Sequence, residues 1–243
     1  QDDPDGGTGK TTVKIADQNG FGSRCYADVD IAAGNQLVYE DQEQGDQIIL
    51  HGTISGAGTV VVQNGTDHLT SLPVTNAAIQ VREHVDYGTG QLSDTGTLLL
   101  KADTRFDMNG LGNLTLGTLA GNGTVRLGGL TDTMTLLEGL TPGESVGTLT
   151  VEEAGTLILG AASKSVFELD GLGGPNDQVV MTSSAALTLG GELEVLDAGG
   201  LEEGDYTLFD LQGGGVIAGT FTSVTMPSGF SGTVDTTSGN VVL

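Results

Sequence analysis

Residues 147–196 read GTLTVEEAGTLILGAASKSVFELDGLGGPNDQVVMTSSAALTLGGELEVL, and this stretch decides the fold class. Its apolar pieces have the length of strands, are rich in Leu, Val and Thr, and alternate with short clusters of Gly, Asn, Asp or Ser. No apolar stripe of helical period joins these pieces. The stretch therefore predicts a series of strands separated by tight turns, which is typical of an all-β chain.

Glycine is over-represented throughout the chain. It accounts for 41 of the 243 residues, whereas its usual share is about 7%. Pro occurs only 5 times, Gly shows no period of three, and 37% of the residues are hydrophobic, so neither collagen nor a disordered linker fits the composition. We interpret the glycines as corner residues, because glycine adopts the positive φ angles that tight turns require.

An internal recurrence marks residues 51–170. Residues 54–60 and 119–125 share the pattern Ile/Leu-x-Gly-x-Gly-Thr-Val. Gly-Thr followed by an apolar residue recurs at Gly52, Gly58, Gly96, Gly117, Gly123, Gly147, Gly155, Gly219 and Gly232. We expect Gly to form the corner, β-branched Thr to begin the strand, and the next residue to point inward. In a meander these corners would be hairpins, and in a solenoid they would join stacked rungs.

Several segments carry a resemblance to a known class of repeats. They are residues 140–151, 176–180, 186–195, 204–210 and 215–221. These segments resemble autotransporter passenger-associated strand repeats and the related extracellular β-helix repeats of bacterial surface proteins. The resemblance implies an exported right-handed parallel β-helix (β-solenoid) with terminal caps, and it implies no catalytic residues. The patterns alone leave β-sandwich portions at the two ends as an alternative.

The predicted organisation has three regions. Residues 1–50 form an N-terminal arm with the first rungs or a cap, residues 51–170 form the solenoid repeats, and residues 171–243 form the last rungs and a C-terminal cap. The resemblance is good over about 140–243, looser over 51–139 and absent over 1–50. We expect the aromatic residues of the last region to be buried in its cap, because aromatic side chains bury the largest areas.

The charge of the chain is strongly one-sided. It has 32 Asp and Glu against 8 Lys and Arg, a formal net charge of −24, and no base follows Lys164. A surface this acidic repels phosphate backbones, so we expect no nucleic-acid partner. Acidic loops at residues 40–43 and 173–177 instead offer the oxygen ligands that Ca²⁺ prefers.

The predicted calcium site comprises Asp170, Asn176 and Asp177. Residues 173–177, GGPND, resemble a single copy of the calcium-binding nonapeptide repeat. Ca²⁺ is therefore the one cofactor that the sequence indicates. His51, His68 and His84 recur at nearly the predicted repeat length, but no neighbouring Cys or His completes a zinc-ligand pattern, so we expect no zinc site.

Other features favour an exported chain. No run approaches the roughly 18 apolar residues of a membrane span, so we expect no transmembrane segment. The chain begins at Gln1 without Met, as a mature protein does after removal of a signal peptide. Its single cysteine, Cys25, cannot form an intrachain disulfide and is interpreted as a buried apolar residue. Glycosylation sequons at Asn64, Asn113 and Asn122 fall in predicted turns.

The distribution of charge favours self-association. Lys10, Lys14 and Arg24 make the N-terminal end nearly neutral, and we expect it to contact the acidic C-terminal end of a second copy, where Phe221 and Phe230 lie. Head-to-tail contacts of this kind do not close and give filaments. We therefore expect a non-enzymatic, extracellular structural protein of the bacterial cell surface that forms a filament or surface layer.

Two other functions remain open on the sequence. One is a passenger-type adhesin that binds a partner through its loops. The other is a polysaccharide-binding or polysaccharide-processing β-helix, since Asp28 and Asp30 share one strand face at a separation near that of the carboxylates of inverting glycosidases. A solvated strand face explains the same pair, as it explains Glu192 and Glu194.

A glycine loop near the N-terminus is interpreted as a polar arm. Residues 6–12, GGTGKTT, resemble a nucleotide-binding loop. Such a loop needs a buried strand before it and a helix after it, and the residues on either side predict neither. We therefore do not expect nucleotide binding.

Overall fold

A computed structural model describes residues 12–17, 24–25, 29–41, 47–50, 54–64, 78–81, 83–84, 88–89, 94–108 and 112–243. Every regular element in these residues is a β-strand, which confirms the all-β prediction. No helix long and apolar enough to span a membrane occurs in this described part of the chain. Residues 1–11 of the predicted N-terminal arm lie outside it.

The described strands follow one another at short intervals. In chain order they are β1 (Thr12–Asp17), β2 (Arg24–Cys25), β3 (Val29–Asp30), β4 (Gln36–Asp41), β5 (Gln47–Leu50), β6 (Ile54–Ser55), β7 (Thr59–Asn64), β8 (Ala78–Val81), β9 (Glu83–His84), β10 (Gly88–Thr89), β11 (Thr97–Leu100), β12 (Arg105–Asp107), β13 (Asn113–Gly121), β14 (Thr124–Arg126), β15 (Thr133–Pro142), β16 (Thr148–Glu152), β17 (Thr156–Leu159), β18 (Lys164–Leu169), β19 (Gln178–Met181), β20 (Ala186–Leu189), β21 (Glu192–Asp197), β22 (Thr207–Leu211), β23 (Ile217–Gly219), β24 (Ser223–Thr225) and β25 (Val241–Val242). The six strands β16 to β21 confirm the strands predicted in residues 147–196.

Most of these strands are parallel and belong to two open sheets. The larger sheet has the order β1-β4-β7-β11-β13-β15 and then divides into the branches β17-β20-β23 and β18-β21-β24. The second sheet has the order β2-β5-β8-β12-β14-β16-β19-β22-β25. Among the described pairs, only β9–β10 and β22–β25 are antiparallel strand pairs.

From residue 112 onward the chain passes through three columns of strands in a constant order. Column A contains residues 113–116 of β13, residues 133–136 of β15, and β17, β20 and β23. Column B contains residues 118–121 of β13, residues 139–142 of β15, and β18, β21 and β24, and extends back through β11, β7 and β4 to β1. Column C is the second sheet. Each pass through A, B and C is one repeat.

Inward side chains form continuous stacks from one repeat to the next. In column A, Leu114 pairs in register with Met134, which pairs with Leu157. Leu157 pairs in turn with Leu187, and all four side chains are buried. Burial of one such side chain contributes roughly 1.5–3 kcal/mol. The stacked core as a whole, and no single contact, therefore holds the repeats together.

The corners explain why glycine is so abundant. Gly56 and Gly121, the first glycines of the two copies of the shared pattern, have φ angles of +86° and +99°. A Cβ atom on Gly121 would clash with the Leu100 carbonyl oxygen of the preceding repeat. Only glycine fits such a site, because it tolerates both the positive φ and the close backbone. Both copies connect strands that pair in parallel with other strands, and neither copy forms a hairpin.

The Gly-Thr prediction holds at most positions that the structure describes. Thr59, Thr97, Thr118, Thr124, Thr148 and Thr156 lie in strands, and the next residue is buried in every case. The prediction is wrong at Gly219, which ends β23, and at Gly232, because no strand begins directly after it. After Gly219 the pairing with the preceding repeat begins only at Thr222, whose backbone N–H donates to the Gly191 carbonyl oxygen. Gly52 lies outside the described residues.

The three columns end differently. The outer edge of β22 is covered by the antiparallel strand β25, and Tyr206 and Leu243 exchange two backbone hydrogen bonds of 3.0 and 2.9 Å. Columns A and B end at β23 and β24, and no described strand pairs with their outer edges. At the opposite end of column B, the one described partner of β1 is β4.

Candidate functional site

The turn between β18 and β19 contains the three predicted calcium ligands Asp170, Asn176 and Asp177. The Asn176 Oδ1 atom accepts a hydrogen bond of 2.7 Å from the Asp170 N–H. Its Nδ2 group donates to the carbonyl oxygens of Gly171 and Gly174, at 3.1 and 3.3 Å. The amide of Asn176 therefore closes the turn on itself.

Asp177 joins this turn to the preceding repeat. Its side chain is 1% exposed. The Oδ1 atom accepts a bond of 2.7 Å from the N–H of Gly147, and Oδ2 accepts one of 2.8 Å from the N–H of Glu168. Burial raises the pKa of Asp177 to about 6, and the nearby charge of Glu168 acts in the same direction, while the two N–H bonds lower the pKa. The carboxylate of Asp177 thus links two successive repeats through hydrogen bonds.

These contacts occupy most of the oxygen atoms that a calcium ion would need. Both carboxylate oxygens of Asp177 and the amide oxygen of Asn176 already accept backbone N–H groups. The carboxylate of Asp170 lies beside Gly174, where a Cβ atom would be 2.9 Å from Oδ2. No group of three or more His, Cys, Asp and Glu in the described residues could hold a metal ion. The calcium site stays a prediction, with Asp170 its least engaged carboxylate.

A tyrosine fixes the loop that follows β21. The side chain of Tyr206 is 5% exposed. Its hydroxyl accepts a hydrogen bond of 3.1 Å from the Glu202 N–H and lies 3.0 Å from the Glu202 carbonyl oxygen and 3.3 Å from that of Asp170. The hydroxyl proton has one of these carbonyl oxygens as its acceptor. Tyr206 therefore links the C-terminal loop to the β18–β19 turn.

The two phenylalanines predicted to contact a neighbour lie at the C-terminal end of the columns. Phe221 is half-buried and packs against the core just before β24. Phe230 is half-buried and lines a pocket of about 180 Å³ with Tyr206, Met226 and Leu243. The pocket is smaller than the roughly 300 Å³ from which small-molecule sites start. It offers a place for a side chain of a partner, and the contact itself stays a prediction.

The edge of β24 presents backbone groups to solvent. The N–H of Thr222 donates to the Gly191 carbonyl oxygen at 2.7 Å, toward β21. Since alternate residues of a strand direct their backbone groups to opposite sides, the N–H groups of Ser223 and Thr225 point away from β21. Both residues are exposed. The end of column B is therefore able to accept another strand.

The basic residues predicted to contact a neighbour belong to the other end. Lys14 lies in β1 opposite Val38, and Arg24 lies in β2 opposite Ile49. These strands are the first described members of columns B and C. Lys10 lies outside the described residues. The structure thus separates the predicted basic contacts and the predicted aromatic contacts to opposite ends of the strand columns.

The remaining candidates do not form a common site in the described residues. Asp30 is exposed on β3 and accepts a bond of 2.9 Å from the Ser55 hydroxyl, which is typical of a solvated strand face. Glu194 forms an ion pair of 2.6 Å with Lys164. His84 lies in β9. The candidates outside the described residues are Asp28, His51, His68, Gln42 and Glu43.

Two of the three sequons, Asn64 and Asn113, lie in strands and not in the turns predicted for them. Asn113 begins β13 and is exposed, and Asn64 ends β7. Asn122 directly follows β13, with its N–H bonded to the Leu100 carbonyl oxygen at 2.9 Å. Only Asn122 therefore occupies a corner between columns.

Sequence reasoning missed a buried hydroxyl in the core. Ser165 lies in the inward stack of column B between Leu140 and Leu193 and is 0% exposed. Its Oγ atom has no hydrogen-bond partner. The signal was present in the alternation of β18, since Ser165, Phe167 and Leu169 occupy the positions that face the core.

Comparisons with other proteins do not add a relative. No family model matches the chain, and no curated protein or solved structure shows significant similarity to it.

Proposed function

We propose that the chain is an exported structural protein that associates end to end into a filament or surface layer. The observation that carries this proposal is the pair of edge strands at the two ends of column B. The described partners of β1 and β24 lie on one side only, β4 for the first and β21 for the second. An unpaired edge strand is a template for pairing with another chain.

The three columns are, in this proposal, the faces of a right-handed parallel β-helix. Parallel, in-register pairing between successive repeats supports this architecture, as does the constant order of columns A, B and C. Right-handed connections account for about 98% of crossovers between parallel strands of one sheet. The resemblance to extracellular β-helix repeats supports export and a position at the cell surface. Antibody labelling of intact source cells tests that position, and labelling only after lysis would contradict it.

The contact between copies places β1 of one copy beside β24 of the next. Main-chain hydrogen bonds then continue column B across the junction, as in other cases of strand addition. Column C is closed at its C-terminal end by β25, so columns A and B form the junction. The contact joins two different surfaces, and such heterologous contacts propagate into filaments.

The charges of the two ends suit this arrangement. Lys10, Lys14 and Arg24 lie in the first 26 residues, whereas residues 165–243 contain acidic residues and no Lys or Arg. An N-terminal end that is nearly neutral reduces the repulsion that two acidic ends would experience. The junction should therefore form in a single orientation.

A proline substitution on the open edge tests the proposal. Ser223→Pro removes an N–H group that points away from β21, so it blocks strand addition without removing a bond to β21. The matched control is Ser228→Pro. The Phe230 N–H donates to the Pro227 carbonyl oxygen at 3.1 Å, and Gly229 has a φ of +94°, so Ser228 occupies the turn position that favours proline.

We expect the native chain and the Ser228→Pro variant to form filaments at high concentration, as seen by negative-stain electron microscopy, and the Ser223→Pro variant to remain monomeric. Calcium is added in a parallel series. Monodisperse native monomers at every concentration, with and without calcium, would overturn the proposal. Filaments of unchanged length from Ser223→Pro would contradict the assignment of β24 as the contact.

A further inference from the structure

Column A presents a face without charge in an otherwise acidic protein. Its strands over residues 113–219 have the sequences NLTL, TMTL, TLIL, ALTL and IAG, with no Asp, Glu, Lys or Arg. The neighbouring strands of column B contain Lys164, Glu168, Glu192 and Glu194, and those of column C contain Arg126, Glu152 and Asp210. Charge is therefore depleted from one face and not from the repeats as a whole.

The outward side chains of this face are aligned in two rows. Asn113, Thr133, Thr156 and Ala186 form the first row, and Thr115, Thr135, Ile158, Thr188 and Ala218 form the second, each paired in register with the next. All of them are half-buried or exposed. We call these two rows the column A face. Their methyl and hydroxyl groups make a surface that is easily dehydrated compared with one that carries charges.

Large apolar side chains border the column A face. Leu130, in the turn before β15, is 80% exposed. Leu137, which follows the column A part of β15, is 40% exposed, and Val216, directly before β23, is 68% exposed. Exposed apolar side chains that border one patch mark an interaction surface more often than single, scattered ones do. The acidic Glu138, which is also exposed, lies at the rim of this patch. An apolar centre with a polar rim is the arrangement found at protein interfaces.

We propose that the column A face is the lateral contact between two copies of this chain. Each copy carries a net charge of −24, so two copies repel wherever acidic surfaces meet. The column A face is the surface at which they approach without opposing charges. Two copies related by a twofold axis can place Thr and Ile rows of one face against the same rows of the other.

The size of the face determines how strong the lateral contact is. Five strands about 4.8 Å apart, each about four residues wide at roughly 3.3 Å per residue, make an area on the order of 300 Å². Stable complexes bury roughly 800 Å² on each partner. One pair of copies therefore associates weakly. The lateral contact rests on the proposed function for its strength, because an end-to-end filament repeats the face and adds its contributions along the length.

The test separates lateral from end-to-end association. The face variant combines Thr135→Glu and Thr188→Glu, which place a carboxylate in the second row on two different repeats. The matched control combines Thr124→Glu and Thr182→Glu, which add the same charge to column C, where Thr124 is half-buried in β14 and Thr182 is exposed after β19. Circular dichroism spectra that match the native chain establish that each variant folds.

Both sets are first placed in the full chain carrying Ser223→Pro, which blocks end-to-end contacts, and are studied by sedimentation equilibrium. We expect the chain with Ser223→Pro alone to form dimers with a Kd on the order of 1 mM. The face variant should raise this Kd about tenfold or more, because buried like charges are strongly unfavourable. We expect the control to change the Kd by less than about twofold. Equal Kd values for the face variant and the control would overturn the lateral contact.

The same substitutions are then examined by electron microscopy in the chain without Ser223→Pro. Bundled native filaments that become single filaments in the face variant support the lateral contact. If no filaments form at all, the proposed function fails, while a face-dependent dimer in sedimentation still supports the lateral contact. A chain that stays monomeric but binds insoluble cellulose or chitin through the column A face would identify a polysaccharide as the partner. That result would overturn the proposal that a second copy occupies this face.

Discussion

Asp177 lies in the predicted turn, but the contacts that its side chain makes there were not predicted from the sequence. Its acidic side chain in a Gly- and Asn-rich turn indicated a calcium ligand. The structure shows that its oxygens accept backbone N–H groups from Gly147 and Glu168. Gly147 precedes Asp177 by a full repeat, so this contact depends on the stacking of repeats and has no signal in the local sequence. The three predicted ligands lie in one turn, and hydrogen bonds within the protein already engage the side chains of two of them.

Asp177 should make the stability of the fold depend on pH. Its pKa is raised from 3.8 to about 6, so the folded chain holds this proton more tightly than the unfolded chain. The stabilisation is complete below about pH 4 and is lost as the pH rises through about 6. We expect the difference in free energy of unfolding between the native chain and Asp177→Asn to fall over this range, as measured by urea unfolding.

Asp235 provides a control of opposite sign. Its pKa is lowered by the hydrogen bond from the Thr237 N–H, and its carboxylate is exposed. Its contribution is therefore present above the unfolded pKa and is lost in more acidic solution, with a small amplitude because water screens the carboxylate. The difference in free energy of unfolding between the native chain and Asp235→Asn should stay constant between about pH 5 and 7. A flat profile for Asp177→Asn as well would show that the Asp177 carboxyl group does not titrate in this range.

At the scale of the strand and its corner, glycine should be indispensable only where it lies against the preceding repeat. Gly121 combines a φ of +99° with a backbone carbonyl in the space of a Cβ atom. We expect Gly121→Ala to lower the free energy of unfolding by about 2 kcal/mol or more, because strain and steric overlap add. Urea unfolding followed by circular dichroism measures this loss.

Two other glycines serve as graded controls. Gly112 has a φ of +81°, but a Cβ atom added there would have no other atom within 4 Å. Gly112→Ala should therefore lower the free energy of unfolding only by the cost of backbone strain, about 1 kcal/mol. Gly129 has neither a neighbour nor a positive φ, so its alanine variant should be neutral or slightly more stable. Equal effects at all three positions would contradict the role of Gly121 as a packed corner.

Strands and corners were therefore predictable from the sequence to different degrees. The alternation in residues 147–196 predicted β16 to β21, because each buried residue is followed by an outward one and each strand ends at small or polar residues. The column to which each strand belongs depends on its partner one repeat away. The two copies of the shared pattern show this, since Gly56 precedes a strand of column B and Gly121 precedes a strand of column C.

At the scale of the whole molecule, the net charge of −24 should oppose both folding and association. Raising the NaCl concentration from 10 to 150 mM shortens the screening length from about 30 Å to about 8 Å. We expect this change to raise the urea midpoint of unfolding and to lower the concentration at which filaments form. Light scattering and circular dichroism measure the two effects on the same samples.

Calcium chloride at matched ionic strength distinguishes screening from site binding. Screening acts on all acidic residues, so its effect should be the same in the native chain and in Asp170→Asn. Calcium held at the β18–β19 turn would add stabilisation that rises with the free calcium concentration. This added part should disappear in Asp170→Asn, because Asp170 has the carboxylate of the turn that backbone N–H groups occupy least. Identical midpoints in calcium and sodium chloride would remove the calcium site and leave the charge of the whole molecule as the reason for the salt dependence.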